Sequence, residues 1–310
     1  MFTSVQFRTT HKAFGTMNIG RLLYDQNWNI GFCGLTPEEL IKNKALPTVR
    51  WMKHPYRDRW FADPYILKAS EEEIVVFVEE CPIEAPKGIL CELHIDRKSM
   101  RLKERYVLLE LDTHLSYPAI IEYEGKTYVY PENGASGQLN IYEYDEATHR
   151  LINPVCILNK AVADATIMRD GNSFTLIATR FPETQKDAFL YESKSLFGPF
   201  MPVTDKPFQD SLSCSRPGGN WLHVYGALYR PAQNCSEVYG GSLKVMYVNL
   251  IKENEQAVCE LKPQGFRNNL GLHTINFNNE LCVIDGCGYH YPIIARVINW
   301  LRKLKHNIIG

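Results

Sequence analysis

Apolar residues in this chain come in short runs broken by clusters of Gly, Pro, Asn and Asp, a pattern of strands and turns. Five times a run carrying a polar or ionisable residue is followed by a second run that ends in charge. The first runs are Phe61-Ala62-Asp63-Pro64-Tyr65, Leu115-Ser116-Tyr117-Pro118, Ala163-Asp164-Ala165-Thr166, Ser215-Arg216-Pro217-Gly218 and Leu272-His273-Thr274-Ile275. With Asp63, Tyr117, Asp164, Arg216 and His273 as markers, the steps are 54, 47, 52 and 57 residues. A period near fifty is that of propeller blades, each a small antiparallel sheet that buries its faces only against its neighbours.

The partner runs close on Glu79-Glu80, Glu132, Arg180, Arg230 and Asp285, each 12 to 17 residues after its marker. Because the first strand of a blade lines the axis, this phase predicts a funnel of mixed charge. Asp63, Glu80, Glu132, Asp164 and Asp285 would face Arg180, Arg216 and Arg230 across it. The plainer alternative is a set of ordinary polar strand ends in water.

The turns agree with an all-β, five-bladed β-propeller. Glu124-Gly125, Asp170-Gly171-Asn172 and Asn278-Asn279 each lie between a pair of apolar strands, as hairpin turns do. Leu196-Phe197-Gly198-Pro199-Phe200 reads as a corner between blades. Residues 17–33 end in the alternating run Asn27–Cys33, which is expected to complete the last blade and close the ring. Thr36-Pro37-Glu38-Glu39 predicts a short capped helix. The organisation expected is an N-terminal extension over 1–46, blades over 47–290 and a C-terminal helix over 291–310.

That tail changes period. Ile293, Ile294, Val297, Ile298, Leu301 and Leu304 fall at helical spacing, with Arg296, Arg302, Lys303 and Lys305 on other faces and no acid after Asp285. Such a basic amphipathic helix suits either an anionic membrane surface or a groove on the propeller.

Composition narrows the function classes. A chain of 310 residues with 45% hydrophobic content can build a large core, and a net charge of −1 offers no excess for collecting nucleic-acid phosphates. The first residues lack a signal-like apolar stretch, so a cytoplasmic location is expected, peripheral to the inner membrane if the tail binds lipid. Nine cysteines lie scattered with no pair two residues apart, neither zinc spacing nor a disulfide framework. Cys235 is a nucleophile candidate by position, set against the commoner role of a buried free thiol. No phosphate-cradling glycine loop and no metal-ligand cluster is evident, so no cofactor is expected; Arg216-Pro217-Gly218-Gly219 is a turn.

The ordered set Pro55-Tyr56-Arg57-Asp58-Arg59-Trp60-Phe61-Ala62-Asp63-Pro64-Tyr65, His114-Leu115-Ser116-Tyr117-Pro118, Asp164-Ala165-Thr166, Ser195–Phe200 and Tyr229–Cys235 resembles the N-terminal propeller domain of glucosamine inositolphosphorylceramide transferases and of related bacterial polysaccharide-biosynthesis proteins. Those domains are in turn similar to the five-bladed clan of arabinanases, levansucrases and invertases. The resemblance implies a carbohydrate in the funnel and matches Asp63 to the clan's axial carboxylate on blade 1. Blade 2 departs from the clan by carrying Ser116-Tyr117, which leaves Asp164 and Glu132 as the substitutes. Paired carboxylates with diverging pKa values could transfer or hydrolyse a glycosyl unit. The same groups could bind sugar hydroxyls without chemistry, making the propeller a noncatalytic module beside a separate glycosyltransferase, or the rim could serve as an interaction scaffold.

The remaining ligand contacts are expected from Glu80, His114, Tyr117, Gln233, His273 and Asp285. Arg180, Arg216 and Arg230 would favour an anionic sugar, nucleotide sugar or glycolipid. Trp221, Tyr225, Tyr229 and Tyr239 join Tyr117 as stacking faces, with core packing as the alternative.

Overall fold

The computed structural model describes residues 25–84 and 87–309, with side chains as far as Leu301. Five antiparallel sheets form a five-bladed propeller. Blade 1 runs Arg59–Ala69, Glu73–Pro82, Ile89–Asp96 and Leu102–Leu109 from the axis outward, and blade 2 runs Ser116–Tyr123, Lys126–Glu132, Leu139–Asp145 and Arg150–Leu158. Blade 3 begins Val162–Asp170 and Ser173–Arg180, and blade 4 begins Leu222–Val224 and Ala227–Asn234.

Blade 5 is assembled from both ends of the chain. Its inner strands are Ile275–Asn278 and Leu281–Tyr289, and Gln26–Gly34 pairs with the latter from Gln26↔Tyr289 to Gly34↔Leu281. The expected closing run Asn27–Cys33 therefore does close the ring; residues 17–24 of that run lie outside the described residues.

Packing follows from two-sided burial. Five apolar clusters occupy the five seams between neighbouring blades, as in Phe77, Leu90 and Leu115 with Val129 between blades 1 and 2. A second strand has blades on both faces, so its sequence is a continuous apolar run: Ile74, Val75, Val76, Phe77 and Val78 are all at most 1% exposed. The first strands of blades 1 to 3 share a further device. Each breaks register near its start, between Ala62 and Tyr65, Ser116 and Ala119, or Ala163 and Thr166. At each break a non-glycine residue adopts the left-handed conformation: Asp63 at φ 51°, Tyr117 at 47° and Asp164 at 48°. Such a bulge costs about 1–2 kcal/mol in backbone strain. Three of the five sequence markers are these strained residues.

The helix Pro37–Asn43 has the expected start, with Thr36 and Glu39 forming a reciprocal capping box. The hairpin at Glu124-Gly125 places both residues at positive φ, as a type I′ turn requires. The C-terminal helix spans Pro292–Ile309. It touches the propeller through Ala295 and through Asn299, which donates to the Tyr289 hydroxyl at 3.1 Å. Ile293, Ile294, Val297 and Leu301 of the predicted apolar stripe stay exposed, and so does Trp300. The side chains of Arg302, Lys303, Leu304 and Lys305 lie outside the described residues.

Candidate functional site: an acidic funnel beside a cationic cavity

The bulges turn the amide of each left-handed residue toward the preceding blade, and a carboxylate meets it there. Asp285 Oδ2 accepts from the Asp63 amide at 3.1 Å, Asp63 Oδ2 from the Tyr117 amide at 3.1 Å, and Glu132 Oε2 from the Asp164 amide at 3.2 Å. Blade 2 carries tyrosine where blade 1 carries aspartate, so the acceptor for blade 3 comes from Glu132 at the end of the next strand. The departure at Ser116-Tyr117 thus has a structural counterpart in Glu132.

Two polar groups result. In the first, Thr274 Oγ1 donates to Asp63 Oδ1 at 2.8 Å, and the His273 and Thr274 amides both donate to Asp285 Oδ1 at 3.0 Å. His273 Nδ1 lies 2.5 Å from Asp285 Oδ2, while Nε2 lies 3.8 Å from Asp63 Oδ1. In the second, Arg216 binds Asp164 through Nε at 2.5 Å and Nη2 at 3.2 Å and reaches Glu132 at 3.4 Å. Gln233 Nε2 donates to Asp164 Oδ2 at 2.6 Å. Asp63, Asp164, Asp285, Arg216, Gln233 and His273 are all buried, which strengthens each contact and makes any loss expensive.

Burial and like charges set the electrostatics. Burial pushes the Asp63 carboxyl up to about 7, against the opposing pull of His273 and with help from Glu79, Asp164 and Asp285. Burial also drives the Glu132 carboxyl well above its ordinary range, although Arg216 pulls it back. For His273 burial acts downward, yet Asp285 and Asp63 together lift it to about 9. A protonatable carboxyl beside an imidazolium could deliver a proton. Asp63, His273 and Asp285 also bring one ligand atom each within 4.8 Å of the others, a set that could hold a cation once His273 gives up its proton.

Other expected site residues lie elsewhere. Glu80 is turned away from the funnel to Arg59 and Arg105, because the alternation of a strand sends its neighbour Glu79 to the funnel side. Arg180 stays within blade 3, bonded to the Tyr191 hydroxyl and lying over the Phe189 ring. Arg230 is consumed by Glu255 at 2.6 Å and by the Cys214 carbonyl. Tyr117 is fully buried, its hydroxyl 3.0 Å from Thr166 Oγ1, so it offers no stacking face. Trp221 and Tyr229 are likewise engaged, with Thr166 and Tyr247 respectively, and Tyr225 projects from an outer turn. His114 links blades 1 and 2, accepting from the Gly88 amide and lying 3.3 Å from Glu79 Oε1, which raises its pKa. Burial raises the Cys235 thiol, the opposite of what a nucleophile needs.

Tyr239 is 44% exposed and packs against both Arg216 and His273, and Trp28 stacks on His273 at 3.9 Å. Trp28 is also a wall of a second space. At the seam of blades 5 and 1 a cavity of about 460 Å³ is lined by Trp28, Trp51 and Tyr289 together with Lys53, Arg57, Arg267 and Arg59, the last already paired with Asp58 and Glu80, and no carboxylate lines it among the described residues. Neither Lys53 nor Arg267 has a carboxylate partner among the described residues, and Arg57 donates to the Tyr291 hydroxyl. Burial holds His54 down at about 4, and burial with Arg57 and Arg267 lowers His290. Sequence reasoning passed over this cavity although Arg57 and Arg59 stand inside the motif that carried the family resemblance.

The fold defines a class: a five-bladed propeller, an architecture also found in glycoside hydrolases. It superimposes on Zg3597, a family 117 glycoside hydrolase from Zobellia galactanivorans, with a TM-score of 0.53 at 11% identity, over 84% of this chain and 91% of that one. The catalytic domain of the Coprinopsis cinerea GH62 alpha-L-arabinofuranosidase gives a TM-score of 0.53 at 9% identity, covering 73% and 90%. Residues 41–273 match the model of the family described as glucosamine inositolphosphorylceramide transferase 1, N-terminal, and the chain belongs to that family. Glucosamine inositolphosphorylceramide transferase 1 of Arabidopsis thaliana is 26% identical over 227 residues, 71% of this chain. Its counterpart in Oryza sativa subsp. japonica is 23% identical over 221 residues, 69% of this chain. The chain spans 30% of the length of each of these two relatives.

Proposed function

We propose that this propeller recognises a glycolipid bearing an anionic, phosphate-type group and presents its sugar for glycosyl transfer in envelope glycan or glycolipid assembly. The observation that carries this reading is the cavity at the seam of blades 5 and 1, where Lys53 and Arg267, without carboxylate partners among the described residues, stand beside aromatic faces. Guanidinium and ammonium groups suit a phosphate, and indole and phenol rings suit a pyranose. The neighbouring surface favours a lipid-borne ligand over a free nucleotide sugar: Arg267 and His290 also border an apolar hollow lined by Phe266, Ile293 and Ile294. With Val297, Trp300 and Leu301 exposed on the same helix, the cavity would open beside a peripheral membrane contact. No helix of the described residues is long and apolar enough to cross a membrane. The relatives' name joins glucosamine to inositolphosphorylceramide, a lipid of the same chemistry.

The test is equilibrium binding of an inositol-phosphate glycolipid headgroup and its dephosphorylated form to wild type and to Lys53→Ala/Arg267→Ala. Preference for the phosphorylated ligand, lost in the double variant, is expected; equal binding of both ligands would sink the proposal.

The raised Asp63 carboxyl favours a second reading, catalysis in the funnel with Asp63 as acid and Asp164 or Glu132 as the second carboxylate. Hydrolysis and transfer assays on Asp63→Asn separate the two. Turnover abolished with binding intact supports catalysis, whereas binding without turnover in wild type leaves the funnel a structural axis.

A further inference from the structure

On the outer part of the seam between blades 1 and 2 lies a buried carboxylate with an unusual set of partners. Glu92, on the third strand of blade 1, is 1% exposed. It meets His94 Nε2 at 2.7 Å, His149 Nδ1 at 3.0 Å and the Tyr144 hydroxyl, which donates at 2.7 Å. No Lys or Arg reaches it among the described residues, so its charge must be balanced by something the imidazoles hold.

His94 decides where that balance sits. Its Nδ1 lies 3.2 Å from Glu73 Oε2 and its Nε2 faces Glu92, so either neutral tautomer aims a lone pair at a carboxylate. Glu73 already has a cation, Lys103, at 3.1 Å. A cation held at Nε2, between His94 and Glu92, would meet that demand. His149 brings a second ring nitrogen to the same place from blade 2, held in a left-handed turn at φ 51° with its ring stacked 3.8 Å from that of Tyr106. One ligand atom from each of Glu92, His94 and His149 lies within 4.8 Å of the others.

We propose that Glu92, His94 and His149 form a binding site for a divalent cation of the zinc type, which staples blade 1 to blade 2. Two imidazoles and one carboxylate are a nitrogen-rich set that selects zinc or cobalt over magnesium or calcium, whose sites are built from oxygen. The surrounding contacts have the form such sites take. A ligating histidine commonly donates its other N–H to a carboxylate, as His94 Nδ1 does to Glu73, and a ligating carboxylate is itself hydrogen-bonded, as Glu92 is by Tyr144. The side chain of His149 is 28% exposed and leaves a route from solvent and a position for water.

The experiment is titration of the whole chain, freed of metal by chelation, with Zn²⁺ alone, Co²⁺ alone and Mg²⁺ alone, followed by calorimetry and thermal unfolding. One equivalent of Zn²⁺ should bind and raise Tm by several degrees, by mass action on the folded state. Co²⁺ should give the intense visible bands of a low-coordinate site, and Mg²⁺ should do neither. His149→Phe keeps the ring against Tyr106 and should lose binding at least tenfold. Glu73→Gln, outside the ligand set, should lose about tenfold. Absence of saturable Zn²⁺ binding overturns the proposal, as does binding that His149→Phe and Glu73→Gln both leave unchanged. A Tm that follows pH but not metal overturns it too, and assigns the balancing charge to an imidazolium.

Discussion

The acid-lined funnel and the cationic cavity share the wall formed by Trp28, yet they treat charge in opposite ways. In the funnel nearly every carboxylate oxygen is answered from within: Asp285 by three amides and His273, Asp63 by Tyr117 and Thr274, Asp164 by Arg216 and Gln233. In the cavity Lys53 and Arg267 have no carboxylate partner among the described residues. Buried charges that are fully paired hold blades together, whereas partly solvated charges without partners keep their donors for a ligand. Charge count alone would have marked the funnel as the binding site; satisfaction of those charges points to its neighbour.

The largest effect that would break this contrast is expected at Arg216. Arg216→Met strands Asp164 and Glu132 without their cation and should cost about 3–5 kcal/mol in stability, read from denaturant unfolding. A loss under about 1 kcal/mol would mean that the funnel is solvated and free to bind.

The pH dependence should differ in sign between the regions. His273 is raised from its ordinary 6.5 to about 9, so its contribution is complete below pH 6.5 and is lost as pH rises through 9. Asp63, raised from 3.8 to about 7, likewise loses stability as pH climbs across that lower window. His54 in the cavity is depressed to about 4, so stability there is present above pH 6.5 and falls as pH drops through 4. Between pH 7 and 9 wild type should lose about 1–3 kcal/mol. His273→Gln should flatten that limb while leaving the acid limb in place.

A smaller effect, on binding alone, sharpens the cavity side. Lys53→Ala/Arg267→Ala should weaken a phosphorylated ligand about 10- to 100-fold and shift stability by no more than about 0.5 kcal/mol, since neither side chain has a carboxylate partner among the described residues. The smallest effect is that of salt. Raising ionic strength from about 0.05 M to about 0.5 M should weaken cavity binding several-fold and leave the unfolding midpoint nearly unmoved, because exposed charges are screened and buried pairs are not.

How much of this was legible in the sequence depended on what kind of signal each residue carried. The blades were readable because a second strand enclosed on both faces must be apolar throughout, as Ile74–Val78 is, and because the repeat near fifty residues set the phase. Asp63, Asp164, Glu132, Arg216, His273 and Asp285 recur at that phase and do meet at the axis, where Gln233 joins them on Asp164. Glu80 and Glu79 show where phase stops being informative: adjacent acids point to opposite faces, and only the placement of the paired strand in the blade decides which one enters the funnel. Arg180 and Arg230 fit the phase equally well and were claimed by partners on strands that only folding brings near.

What the chain determined by itself was therefore local: strand period, hairpin turns such as Glu124-Gly125, the Thr36 capping box and the strand that closes blade 5. These depend on backbone preference and on alternation between neighbours in sequence, which single residues encode. The tertiary structure decided which charges are answered. Lys53 and Arg267 stand more than two hundred residues apart, as Glu92 and His149 stand 57 apart, and their shared surroundings exist only after ring closure sets blade against blade. Whether a charge is spent on the fold or left for a ligand depends on distance and burial, and those are properties of the assembled ring.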